Sequence, residues 1–133
     1  MSEITRIGPE ETFNSAPLGF SQVVTCKPGK MVFISGQTAL DKNIEIPPGM
    51  TFENQLIKTL NNLRFSLEAA GATPADVTML RVYIVDYDGS HMKFLEEDFK
   101  SFFGKNLPAQ TWVGVSALAM PEILIEIEAI AVI

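Results

Sequence analysis

The run Ile123-Leu124-Ile125-Glu126-Ile127-Glu128-Ala129-Ile130-Ala131-Val132 decides how this chain folds. It is almost wholly apolar and rich in β-branched residues, which marks a strand, and successive side chains of a strand alternate between its two faces. Glu126 and Glu128 therefore lie on the same face, where an ordinary buried strand carries hydrocarbon. Just upstream, Pro108-Ala109-Gln110-Thr111-Trp112-Val113-Gly114-Val115 begins a second strand, expected over 110–118 and joined to the first through Ala119-Met120-Pro121-Glu122.

Working back from there, Met92, Leu95, Phe99, Phe102 and Phe103 recur at helical spacing and end at Gly104, with Ser90 placed to cap the helix start. Met79 to Val85 reads as a strand with too little alternation for one wet face, which implies burial on both; Arg81 is its polar exception. An earlier helix carries Leu56, Leu60, Leu63 and Leu67 on one face, with Thr51 as N-cap and Gly71 just past its end. Phe65 falls on the opposite side, either tolerated at the surface or covered by a partner. Phe20 to Cys26 and Met31 to Gly36 are short β-rich runs separated by Lys27-Pro28-Gly29-Lys30, and this spacing predicts a hairpin. A further strand is expected around Ile4 to Ile7.

The order β-β-α-β-α-β-β implies an α+β fold. It is a mixed sheet with both helices on one face, since each crossover returns the chain to the same sheet with the same hand. The other face is left uncovered and apolar, which asks for a partner.

At 133 residues the length fits one domain spanning 1–133. A hydrophobic fraction of 47% beside 20% charged residues describes a globular chain with apolar surface to spare for an oligomer interface. No apolar run approaches the roughly 20 residues needed to span a bilayer, and Met1-Ser2-Glu3 opens no secretory signal; a cytoplasmic address and no membrane partner are the expectation. Cys26 is alone, so it forms neither an internal disulfide nor a zinc site, and is expected to be a buried or half-buried strand residue. A net charge of −6 works against nucleic acid as a partner, whose affinity rests on neutralised phosphates. No phosphate loop, dinucleotide fingerprint or metal-ligand spacing is present, so no cofactor is expected.

The terminal segment resembles the C-terminal signature of the RidA (YjgF) family of small trimeric imine deaminases, roughly Pro-Ala-Arg, a strand, then Ile-Glu-Ile-Glu-Ala. The resemblance continues through Gly19-Phe20-Ser21-Gln22, Phe33-Ile34-Ser35-Gly36-Gln37, Leu67-Glu68-Ala69-Ala70-Gly71-Ala72 and Val82-Tyr83-Ile84-Val85-Asp86, in order along nearly the whole chain. It implies a chorismate-mutase-like fold, a homotrimer whose sheets close around a threefold axis, and small-molecule sites in the clefts between subunits. It also implies hydrolysis of 2-imino acids, with an arginine gripping the substrate carboxylate and the first glutamate positioning water.

In this chain the arginine position is Gln110, which has neither the charge nor the bidentate fork. That difference removes roughly 1.5–3 kcal/mol of carboxylate binding. Glu126 matches the water-positioning glutamate; a structural acid paired to Arg81, Lys58 or a backbone amide is its alternative role. Glu128 fits a supporting or rim position. Phe20 matches an active-site tyrosine and keeps only its ring, Trp112 stands where relatives carry a small residue or cysteine, and Gly36 allows backbone to approach a ligand. Arg81 is a candidate relocated cation. Ser35, Thr111 and Ser116 lack a nucleophile's partner, and His91, the only histidine, is expected to be an exposed first-turn residue.

Three functions follow. The first is a RidA-like hydrolase acting on a small imine or enamine of altered class. The second is a non-catalytic small-ligand binder or regulator, and the third an endoribonuclease or translation inhibitor.

Overall fold

The structure, a computed structural model, describes residues 3–133. Strand β1 (Ile4–Ile7) pairs antiparallel with β2 (Val23–Cys26) in a separate two-stranded ribbon. The main sheet contains β3 (Met31–Gln37), β4 (Val77–Val85), β5 (Ala109–Val115) and β6 (Ile125–Val132) in the order β3-β6-β4-β5. Strands β3, β4 and β5 run one way, with β4 and β5 paired in parallel, and β6 runs antiparallel to both its neighbours. The fold is α+β, with helices α1 (Phe52–Ala69) and α2 (Met92–Phe103) on the mixed sheet.

The expected Phe20–Cys26 and Met31–Gly36 hairpin does not form. The link between them gives its hydrogen bonds elsewhere: Lys27 N–H reaches Glu3 O at 3.0 Å, and Lys30 exchanges both backbone bonds with Ile133. The first run is thereby paired to the expected N-terminal strand and the second to the C-terminal one. Pro28 and Gly29 mark a crossover between ribbon and sheet, a choice that local turn chemistry cannot distinguish from a hairpin.

Helix α1 starts where expected, with Thr51 Oγ1 accepting from Asn54 N–H at 3.1 Å, and Gly71 just beyond it takes φ +77°. Leu56, Leu60, Leu63 and Leu67 are all buried, against Val32, Ile34, Leu80, Val82, Ile84, Ile125, Ile127 and Ala129 from the sheet and Leu95, Phe99 and Phe103 from α2. Phe65 is exposed. Phe102 is only half-buried, with the Arg64 guanidinium 4.6 Å over its ring, and Met92 is exposed.

Ser90 does not cap α2. The Asp88 carboxylate accepts from Ser90 N–H at 2.8 Å and starts a short 3₁₀ turn over Gly89–His91 instead. His91 is half-buried rather than exposed: Nδ1 accepts from Asp88 N–H at 2.9 Å, and its ring lies 4.5 Å from Phe52 and 5.5 Å from Tyr87. Cys26 is exposed, because β2 belongs to the outer ribbon and not to the core.

The second face of the main sheet is open. Met31 and Phe33 of β3 are exposed there, Phe33 to 72%, beside half-buried Met79, Tyr83 and Ile130. Strand β4 is thus fully buried on its helix side alone, contrary to the expectation from its apolar sequence.

Candidate functional site

Glu126 and Glu128 rise from the open face of β6, opposite Tyr83 and Arg81 of β4 in register. Their surroundings differ. Tyr83 Oη donates to Glu128 Oε1 at 2.7 Å, and Arg81 Nη1 stands 3.9 Å from the same oxygen. That hydrogen bond is the main reason the Tyr83 hydroxyl holds its proton above the ordinary tyrosine range, with burial and the Glu128 charge adding to it. Glu126 makes no side-chain hydrogen bond or ion pair among the described residues, so the expected alternative pairing with Arg81 or Lys58 is not present.

What lies against Glu126 is Gly36. A Cβ built there would overlap the Glu126 carboxylate, meeting Oε2 and coming within 2.6 Å of Cδ. The close approach follows from an irregularity in β3: its register against β6 slips between Ile34 and Gln37, so Ser35 and Gly36 bulge. Glycine is thus needed at 36 for space, since its φ is ordinary. A shallow hollow of about 180 Å³ opens on this face beside Glu128, lined also by Phe33, Met79, Arg81 and Ile130 among others and not by Glu126.

Gln110 and Trp112 point the other way. Their register partners on β4 are Leu80 and Val82, both buried beneath the helices, so these two side chains belong to the helix side of the sheet. The Gln110 amide is bound at both ends: Nε2 donates to Gly19 O at 2.8 Å, and Oε1 accepts from Trp112 Nε1 at 2.9 Å. Trp112 packs edge-on against Phe20 at 5.9 Å and beside Phe99 at 6.2 Å, and Phe13 extends the row at 6.1 Å from Phe20. The segment carrying Phe20 is held to this sheet edge by Ser21, which bridges to Ala109 and donates from Oγ to Leu107 O at 2.6 Å.

One chain therefore carries two separate clusters. Glu126 with Gly36 lies on the open face near β3, whereas Gln110, Trp112 and Phe20 lie at the β5 edge on the helix side, with β4 between. Two strand spacings of about 4.8 Å and the sheet itself separate them, which is too far for one small ligand to touch Glu126 and Gln110 of the same chain. Arg81 sits with the first cluster, facing Glu128, and is no substitute at position 110. Among the described residues no group of three or more His, Cys, Asp or Glu side chains is placed to hold a metal ion.

The family model described as Endoribonuclease L-PSP matches residues 13–133. The chain belongs to the RidA (YjgF) family. A RutC family protein of Pyrococcus horikoshii is 38% identical over 117 residues, covering 86% of this chain and 88% of the relative. The Rid family protein YyfB of Yersinia pestis, described as a protein of unknown function, superposes with a TM-score of 0.93 at 39% identity over 98% of both chains. Escherichia coli TdcF, solved with bound serine, superposes with a TM-score of 0.68 at 30% identity over 96% of this chain and 90% of its own. As a RidA-family chain it has no helix among the described residues long and apolar enough to cross a membrane.

Tyr83, Phe13 and Gly19 escaped the sequence reading. Tyr83 shares the parity of Arg81 along β4, which places it on the open face, yet its meeting with Glu128 depends on a register that only β6 supplies. Gly19 works through its carbonyl, which every residue has, so no side-chain signal marks it.

Proposed function

We propose that this RidA-family chain is a hydrolase of small imines or enamines, with Glu126 of one subunit completing a cleft whose other wall is Gln110, Trp112 and Phe20 of a neighbouring copy in a homotrimer. The observation that carries the reading is the unequal state of two acids on one strand. Glu128 is held by Tyr83 and faces Arg81, whereas Glu126 is half-buried, without a partner in the chain among the described residues, and seated against a glycine that makes room for its carboxylate. The apolar open face supports assembly, since Met31 and Phe33 stand exposed beside Met79 and Ile130.

The chemistry requires little more. Glu126 accepts a proton from a water as the water oxygen attacks the imine carbon, then returns the proton to nitrogen. Collapse of the carbinolamine then breaks the C–N bond as Glu126 carries the hydroxyl proton to the departing nitrogen, leaving a carbonyl compound and ammonia. The aromatic row Phe13, Phe20 and Trp112 offers an apolar wall, and the bound amide of Gln110 makes that wall nearly neutral. The substrate is accordingly one whose recognition does not depend on a carboxylate gripped at position 110. Binding of serine by a relative of the same fold supports an amino-acid-sized ligand.

The Gln110 amide, engaged at both ends within the chain, also favours a second reading, a non-catalytic ligand binder that retains the clefts. An endoribonuclease role rests on the description of the matching family model and runs against the net charge of −6. Ammonia release from a panel of carboxylated and neutral imines, measured for wild type, Gln110→Arg and Glu126→Ala, separates these. The hydrolase reading expects turnover of a neutral imine that falls by about 10²-fold or more in Glu126→Ala. Saturable binding without turnover of any imine would establish the binder instead.

A further inference from the structure

We propose that Arg6 and Lys105 form an oxyanion-binding pocket beside Phe20, which takes the carboxylate or phosphate group of a small ligand. The pocket holds about 200 Å³ between the start of the chain and the segment before β5, and its lining includes Arg6, Ser15, Phe20, Ser21, Gln22 and Lys105. Both charged residues on its wall are cations, in a chain whose net charge is −6.

Arg6 is the deciding group. Its guanidinium is half-buried, and desolvation lowers its pKa from the usual arginine value. Nε donates to Leu107 O at 3.1 Å and Nη2 to Ala75 O at 3.0 Å, so two carbonyls fix the plane of the group. No carboxylate lies within ion-pair distance of it among the described residues. A guanidinium has five N–H donors, so three remain after those two bonds, and a partly dried charge without a counter-ion is costly unless an anion joins it. A planar fork already oriented by backbone suits an oxyanion, and the Lys105 ammonium adds a second, mobile charge.

The hydroxyls on the wall are already engaged as donors, Ser15 Oγ to Phe20 O and Ser21 Oγ to Leu107 O, and Gln22 Nε2 gives one of its two N–H groups to Phe13 O, so recognition here rests first on charge. Phe20 is shared: one wall of this pocket is also the ring that lies edge-on to Trp112 in the Gln110 cluster. An anion held by Arg6 thus lies one aromatic ring away from the proposed cleft. That the anion belongs to the substrate rests on the hydrolase reading; that the pocket binds an anion does not.

The test is an NMR titration of the full chain with sodium acetate and, separately, with inorganic phosphate at fixed ionic strength, following the Arg6 Nε–H and the Ser21 and Gln22 amides. Saturable shifts are expected with at least one anion, weakened about tenfold or more in Lys105→Ala and lost in Arg6→Gln; tenfold corresponds to about 1.4 kcal/mol. Saturation by acetate alone assigns a carboxylate ligand, and by phosphate alone a phosphate ester. Shifts that stay linear in concentration, or saturable shifts unchanged in Lys105→Ala, overturn the pocket. If Arg6→Gln does not fold, Lys105→Ala and Arg6→Lys decide. Turnover separates the linked reading: if an imine is hydrolysed, Lys105→Ala should raise KM for anionic imines only, whereas absence of turnover leaves the binding result standing.

Discussion

The open face around Glu126 and the β5 edge around Gln110 treat their polar groups in opposite ways. At the β5 edge the Gln110 amide is engaged at both ends within the chain, donating to Gly19 O and accepting from Trp112 Nε1, so it behaves as architecture. On the open face Glu126 is left without a partner and a glycine is spent to leave it room, so its carboxylate is available to something outside the chain. A residue that completes its hydrogen bonds at home stabilises; one that does not keeps its bonds for water, a ligand or another subunit.

Complementation tests this contrast most strongly. If the two clusters meet only across a subunit boundary, Glu126→Ala and Trp112→Ala should each lose about 10²-fold or more of imine turnover. Unfolding and reassembling the two inactive variants together should then restore roughly a quarter of wild-type activity, since one boundary in four joins two intact walls when trimers form at random. No recovery from mixed trimers confirmed by mass would break the shared-cleft arrangement.

Gln110→Ala should cost stability. Removing the amide deletes two hydrogen bonds and leaves the Trp112 indole N–H and the Gly19 carbonyl short of partners, an expected loss of about 2 kcal/mol in urea unfolding. An unchanged midpoint would show that water replaces the amide and that Gln110 is freer than its geometry implies. Gly36→Ala should do the reverse. The added methyl meets the far end of a flexible side chain, so Glu126 swings aside, with turnover down about tenfold and stability within about 0.5 kcal/mol of wild type. A loss of stability with unaltered turnover would make Gly36 a packing requirement only.

The sequence reached the elements more easily than their neighbours. Leucines at helical spacing, Thr51 and Gly71 located α1 because those signals are local. Strand pairing is not local: the link at Lys27–Lys30 reads as a hairpin, while the partner of Lys30 is Ile133, at the far end of the chain. The same limit governs the site. Alternation along one strand puts Glu126 and Glu128 on one face, but only the register against β4 shows that Glu128 is held by Tyr83, and only the pairing of β5 with β4 turns Gln110 toward the opposite face. Arg6 looks like an ordinary strand cation until Leu107 and Ala75 are seen to hold it.

Asp98 offers a control outside both clusters. It sits on α2, where a carboxylate oxygen is buried without a hydrogen-bond partner in a hollow shared with Asn61, Arg64 and Phe102. Burial first, and then the charges of Glu53 and Glu97, push its pKa up to about 6 from 3.8. The folded chain therefore binds a proton more readily than the unfolded chain, so Asp98 costs stability as pH rises from about 4 through about 6 and the cost is complete above that window. A two-unit rise corresponds to about 3 kcal/mol, but the residue is partly solvated and screening reduces this to about 1 kcal/mol. Asp98→Asn should thus stabilise by about that amount at pH 7, with the advantage shrinking to nothing below about pH 4, as read from urea midpoints across the range. Imine turnover and anion binding should not change, because α2 reaches neither Glu126 nor Arg6 through this side chain. A stabilisation that is constant with pH would assign the effect to helix propensity or hydrogen bonding and remove the buried charge as its cause.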